Sequence, residues 1–206
     1  IIKYISTNQF ANLANFRSHY LGTGPEIFDE MAGNVDAFVT AAGTGGTVAG
    51  ISAYLATKGI PSWLVDPHGS ILYSYVSHHA DPSQVQQPWI KSSEGSSTME
   101  GIGISIITEN FKGAKLCGAV RTSDQEATEM AHYLRRNEGL YLGPFAALNV
   151  VGAVKVARTL PEGATVVTIL CDGGERYESK TYNVEWLKEN GLVPKASGAA
   201  LDFVSD

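Results

Sequence analysis

Cysteine, long apolar runs and blocks of one charge are all scarce or missing from this chain of 206 residues. The two cysteines, Cys117 and Cys171, are too few for a disulfide framework. Both stand in apolar contexts (Lys-Leu-Cys-Gly-Ala-Val and Thr-Ile-Leu-Cys-Asp) like those of buried strands, which points to a reducing, intracellular compartment, cytoplasmic or mitochondrial. No apolar run approaches the ~20 residues that cross a bilayer, and no secretory leader is visible. The 15 basic and 21 acidic residues are interspersed and sum to −6, which excludes a nucleic-acid-binding stripe and a polybasic membrane patch. Metal-ligand clusters are missing too. His78 and His79 are adjacent, cannot readily face one metal together and read as solvated, while His132 sits on a charge-dominated helix and reads as surface. No Ser/His/Asp nucleophile elbow occurs. The chain also opens without methionine, on "IIKYISTNQF", which reads as a fragment. These absences leave a small-molecule site as the expectation.

What is present is an alternation of strands and helices, with enough apolar residues (44%) for one well-buried domain. The β-branched run "VDAFVTA" (35–41) is followed by a Gly/Thr loop, then by apolar residues at helical spacing in "VAGISAYLATKG" (48–59), then by "PSWLVDP" (61–67), a β-loop-α-β unit. The stretch 73–99 is polar, Ser-rich and without a sustained period, and reads as a long surface excursion. "AKLCGAVRT" (114–122) reads as a strand. Ser123 with Glu126 makes a capping box for a helix that Gly139 ends. Next come "LYL" (140–142) as a strand, a helix over about 145–159, and "ATVVTILCD" (164–172), whose near-continuous apolar character is that of a central parallel strand. A last helix over 182–191 and a loosely ordered tail close the chain. The pattern predicts a three-layer α/β fold with a mostly parallel sheet, residues 1–180 forming the ligand-binding domain and 181–206 a C-terminal helix and tail.

The loop "TAAGTGGTVAG" (40–50) carries four glycines and three threonines between a strand and a helix. Such a loop gathers backbone N–H groups at a positive helix end, where a phosphate can sit; the bland alternative is a tight βα turn that binds nothing. A P-loop would need a lysine after its last glycine, but Ile51 follows Gly50. The dinucleotide fingerprint counted from Gly43 needs a small residue where Val48 stands; Asp66, at the end of the next strand, keeps a nicotinamide reading weakly alive.

Gly43-Thr44-Gly45-Gly46-Thr47 resembles the phosphate cradle of the cysteine synthase and cystathionine β-synthase family, whose ligand is pyridoxal 5′-phosphate (PLP). Six further segments resemble that family in the same order: "NQFANLANFRSHY" (8–20), "TGPEIFDE" (23–30), "VDPHGSIL" (65–72), "EGIG" (100–103), "EGLYLGPFAALNVVGAVK" (138–155) and "CDGGERY" (171–177). The last two look most like its fungal cysteine synthase 2 branch. The resemblance implies the C-terminal large domain of the tryptophan synthase β-like fold (fold type II) and a homodimer. It implies that Gly43, Thr44, Gly45, Gly46 and Thr47 hold the PLP phosphate, that Gly101 and Ile102 line the ring, and that Gln9 and Phe10 bind the substrate's carboxylate. The implied reaction is β-replacement, in which O-acetylserine or serine loses its β-substituent and a thiol adds, giving cysteine.

Two positions depart from the family. A small polar residue that partners the pyridine nitrogen aligns with Phe145, which cannot form that bond: either the local match is offset by a residue, or another group such as Cys171 approaches the ring, or the cofactor site is altered. The family's Schiff-base lysine precedes the glycine loop by more than a hundred residues, and none of the nine lysines here has a matching context. The 206 residues alone are therefore expected to be inactive. A non-catalytic or regulatory module of the same fold and, more remotely, a nicotinamide-binding domain are the alternatives.

Overall fold

The computed structural model describes residues 6–78, 97–99, 101–196, 198 and 200–205. Four strands, β1 (Ala37–Thr40), β2 (Ser62–Pro67), β3 (Gly118–Thr122) and β4 (Val166–Thr168), form a parallel sheet in the order β3-β2-β1-β4. Helices α1 (Ala14–Ser18), α2 (Gly24–Glu30), α3 (Gly46–Ala56), α4 (Leu72–Ser77), α5 (Asp124–Tyr133), α6 (Pro144–Ala157) and α7 (Val184–Glu189) surround it.

The strand pleat sends alternate side chains to opposite faces, and both faces are covered. On one side Phe38 packs with Ile51 and Leu55 of α3, and Leu64 with Val48 of α3 and Leu72, Tyr75 and Val76 of α4. On the other, Ala37, Val39 and Val65 pack with Leu148 and Val156 of α6 and Ala127 of α5. Helices on both faces make the expected three layers. Close contact between α6 and the sheet depends on Gly152, where a Cβ would lie 2.5 Å from Val65 Cβ. The capping box forms as read: Glu126 N–H donates to Ser123 Oγ at 3.2 Å and Ser123 N–H to Glu126 Oε2 at 2.8 Å. A wider π-type turn, Leu134–Glu138, then leads to Gly139 at φ 69°.

Several local readings change. The run 164–172 yields only a three-residue strand, and that strand lies at the end of the described sheet with partial burial, because pairing with β1 stops at Thr168. "LYL" forms no strand; Leu142 makes a single antiparallel bridge to Gly173. The polar reading of 73–99 fails at its start: α4 covers Leu72–Ser77 because Leu72, Tyr75 and Val76 recur at helical spacing and join the core beside Phe111. Residues 79–96, with His79, lie outside the described residues. Neither cysteine is buried: Cys117 precedes β3, Cys171 follows β4, and both are exposed. His132 is half-buried, its Nε2 2.9 Å from Thr181 O and its ring 5.1 Å from that of Tyr182. The described end of the tail is docked, with Val204 buried against α5 and α6, and Arg158 donating to the carbonyls of Val204 (2.6 Å) and Leu201 (3.0 Å).

Candidate functional site

Beyond β1 the chain turns through Ala41 to Gly45 before entering α3. Gly45 takes φ 85°, ψ −7° at the N-cap, and a Cβ there would lie 2.7 Å from Phe111 Cβ, so both conformation and space require glycine. Neighbouring segments fix the loop: Thr108 Oγ1 donates to Thr44 O at 2.7 Å, and Asn15 Nδ2 donates to Thr44 Oγ1 at 2.8 Å. Asn15 also fills the place of a Gly46 side chain. At Gly43 a Cβ would lie 2.6 Å from the carbonyl oxygen of Gly101, which itself takes φ 89°. The N-cap Gly45 has no side chain to cap α3; Gly46 N–H makes a long hydrogen bond to Thr44 Oγ1 at 3.4 Å, and the rest of the first turn presents N–H groups and the positive helix end to an anion.

Gly43 and Thr47 line a cavity of about 360 Å³ at this helix end, within the roughly 300–1,000 Å³ range of small-molecule sites. Thr40 and Ala41 from the end of β1 and Ile169 and Cys171 from beyond β4 form two sides. Asn149 and Phe145 of α6, Ile102, and His19 with Thr23 complete it. Phe145 stands edge-on to Tyr177, ring centroids 5.8 Å apart, and packs in the same cluster as Ile102. Although Cys171 is exposed as a residue, partial desolvation of its thiol and the Asp172 carboxylate push that thiol up to about 12, so it stays protonated. Burial likewise lowers the pKa of His19 and favours the neutral ring. The His19 ring bridges two hydroxyls, Nδ1 2.9 Å from Thr23 Oγ1 and Nε2 3.1 Å from Thr47 Oγ1. With the proton on Nε2, the ring donates to Thr47 and leaves the Thr47 O–H free to point at a bound anion.

Of the residues singled out in the sequence, Gly43, Thr47, Ile102, Cys171 and Phe145 meet in this wall. Thr44, Gly45, Gly46 and Gly101 shape the loop behind it. Gln9 and Phe10 do not line the cavity; their main-chain carbonyls accept from Asn110 Nδ2 at 2.9 and 3.1 Å. Asp66 is buried inside the protein, with Oδ2 accepting from Tyr73 N–H at 2.8 Å, so it is not presented to a ribose. Among the described residues no lysine lines the cavity. The sequence reading missed His19, which lay in the quoted "HY" pair, and Asn149, a lone amide in the apolar helix "PFAALNVVGAVKVA"; that isolation was the available signal.

A family model described as "Pyridoxal-phosphate dependent enzyme" matches residues 2–172. The chain belongs to the pyridoxal-phosphate dependent enzymes. A cysteine synthase of Dictyostelium discoideum is 49% identical over 192 residues, covering 90% of this chain and 50% of that protein. Cysteine synthase 2 of Schizosaccharomyces pombe is 42% identical over 202 residues, covering 96% and 51%. The crystal structure of an O-acetylserine dependent cystathionine beta-synthase from Helicobacter pylori superposes with a TM-score of 0.70 at 33% identity, covering 84% of this chain and 51% of that one. The chain thus spans about half the length of the relatives it matches.

The cavity suits the cofactor of this family. A phosphate needs N–H and hydroxyl donors, which the start of α3 and Thr47 present, and a flat pyridine ring needs apolar walls, which Ile102 and Phe145 supply. Phe145 carries no polar atom for the ring nitrogen, whereas the protonated thiol of Cys171 lies in the same wall.

Proposed function

We propose that the protein containing this chain forms cysteine by β-replacement on O-acetylserine or serine, and that these residues supply its cofactor cradle. The observation that carries the reading is the cavity built on the start of α3, in a chain whose relatives are named cysteine synthases. PLP, when bound there, supplies an electron sink that lets the β-substituent leave and a thiol take its place. The N–H groups and hydroxyls of Gly43–Thr47 hold its phosphate, and His19 turns the Thr47 hydroxyl toward that phosphate. Gly101, Ile102 and Phe145 confine the ring and exclude water, while the Cys171 thiol offers a polar hydrogen at its edge. Gln9 and Phe10 orient the substrate's carboxylate in the whole enzyme, and the proton-moving lysine comes from the part of the protein that matches the other half of its relatives. Residues 1–180 act as the cofactor-binding unit, and the whole protein works as a homodimer.

The test is an assay of cysteine formation by the longest natural form of the protein, given sulfide with either O-acetylserine or serine. Cysteine from one of the two supports the proposal and names the substrate. A protein that holds PLP yet makes cysteine from neither overturns it.

A further inference from the structure

β1 and β4 pair in parallel through Ala37↔Val166, Phe38↔Val167 and Val39↔Thr168, and there the ladder stops. Just beyond, the two strands part, and the cavity opens between Thr40 and Ala41 on one side and Ile169 and Cys171 on the other. The backbone groups freed by the parting need partners. One buried side chain supplies two of them: Asn149 Oδ1 accepts from Ala41 N–H at 2.8 Å, and Asn149 Nδ2 donates to Ile169 O at 2.8 Å. The same Nδ2 lies 3.8 Å from Cys171 Sγ. Asn149 is 2% exposed and belongs to α6, whose start also carries Phe145 into the cavity wall.

We infer that Asn149 is a positioning residue that sets the width of the cofactor cleft, its carboxamide standing where a ladder rung between β1 and β4 would otherwise form. The inference rests on the cavity being the PLP site. Carboxamide chemistry is required because one end must accept and the other donate across a fixed gap. Aspartate keeps the acceptor for Ala41 but faces Ile169 O with a second oxygen, and alanine leaves both groups bare. Through this clamp, Ala41 next to the glycine loop and Cys171 beyond β4 are held at one separation before any cofactor arrives. The cleft is therefore pre-formed, which lowers the ordering cost of binding.

The test compares wild type, Asn149→Asp and Asn149→Ser in the longest natural form of the protein. Three quantities are read: amide hydrogen exchange at Ala41 in cofactor-free protein, the equilibrium affinity for PLP, and the visible circular dichroism of bound PLP, which reports ring orientation. The expected result is a protected Ala41 amide in cofactor-free wild type, with affinity at least tenfold weaker and an altered dichroic band in both variants. A folded variant with wild-type PLP affinity and dichroism, even one of lower thermal stability, overturns the inference, since Asn149 is then only a packing residue. An unprotected Ala41 amide in cofactor-free wild type also overturns it and needs no variant to fold. If wild type takes up no PLP, the reading of the cavity fails by itself, and the Ala41 exchange measurement still decides the clamp.

Discussion

Thr47 and His19 are 28 positions apart, yet Thr47 Oγ1 and His19 Nε2 stand 3.1 Å apart, so the ring's tautomer sets whether the Thr47 hydroxyl donates to it or points into the cavity. A hydrogen bond to a charged group contributes roughly 1.5–3 kcal/mol, so Thr47→Val should weaken PLP binding about tenfold or more, measured by titrating cofactor-free protein. His19→Leu should show the same direction, and His19→Gln a smaller loss because its amide can still donate. Asp66 makes a different prediction. Burial, only partly offset by hydrogen bonds from Ser70 and Tyr73 and by the Arg121 charge, raises its pKa from 3.8 to about 6. Between those values the folded protein holds more protons than the unfolded chain, so stability falls as pH rises and the penalty is complete above about pH 6. Asp66→Asn should therefore stabilise by up to roughly 3 kcal/mol at pH 7.5 and by little at pH 4, read from urea unfolding at the two pH values. An equal effect at both would contradict the account. At this scale the glycine loop was legible in the sequence because so many glycines and threonines between a strand and a helix serve few purposes. His19 and Asn149 were not, because their roles exist only once distant segments meet.

Among the elements, α5 was readable from its capping box and its glycine stop and α6 as a helix over about 145–159, whereas the extent of β4 was not, since an apolar run does not say where its neighbour stops pairing. The docking of the tail was also hidden, because beside Val204 and Arg158 it uses one carboxylate that serves several partners. Glu126 caps the start of α5, forms an ion pair with Lys155 at 2.9 Å, and accepts from the Ser205 hydroxyl at 2.8 Å and its N–H at 3.0 Å. Burial works to raise its pKa, but the hydrogen bonds from Ser123, Lys155 and Ser205 outweigh it and hold the group below the ordinary value. Its stabilisation is present above the ordinary carboxylate pKa and is lost as pH falls through the lowered one. Glu126→Ala should cost roughly 2–4 kcal/mol at neutral pH, since it strands Lys155 in a largely buried site and removes the side-chain half of the capping box, and should open residues 200–205 to proteolysis. A change below 0.5 kcal/mol (roughly the scatter of a surface substitution) would show that Val204 and Arg158 hold the tail without Glu126.

For the whole molecule, strand–helix alternation sufficed to expect a three-layer parallel α/β fold, and the sheet order then explains where the site lies. The cavity stands at the C-terminal ends of neighbouring strands, where open α/β sheets bind their ligands, and it opens where β1 and β4 part. We propose that this cavity grips PLP by its phosphate on the start of α3. The deciding measurement compares the affinities of the cofactor-free protein, in its longest natural form, for PLP and for pyridoxal, which has the same ring and aldehyde but no phosphate. PLP should bind at least a hundredfold more tightly, and Thr47→Val should narrow the ratio by weakening PLP alone. Equal affinities for the two compounds would contradict it.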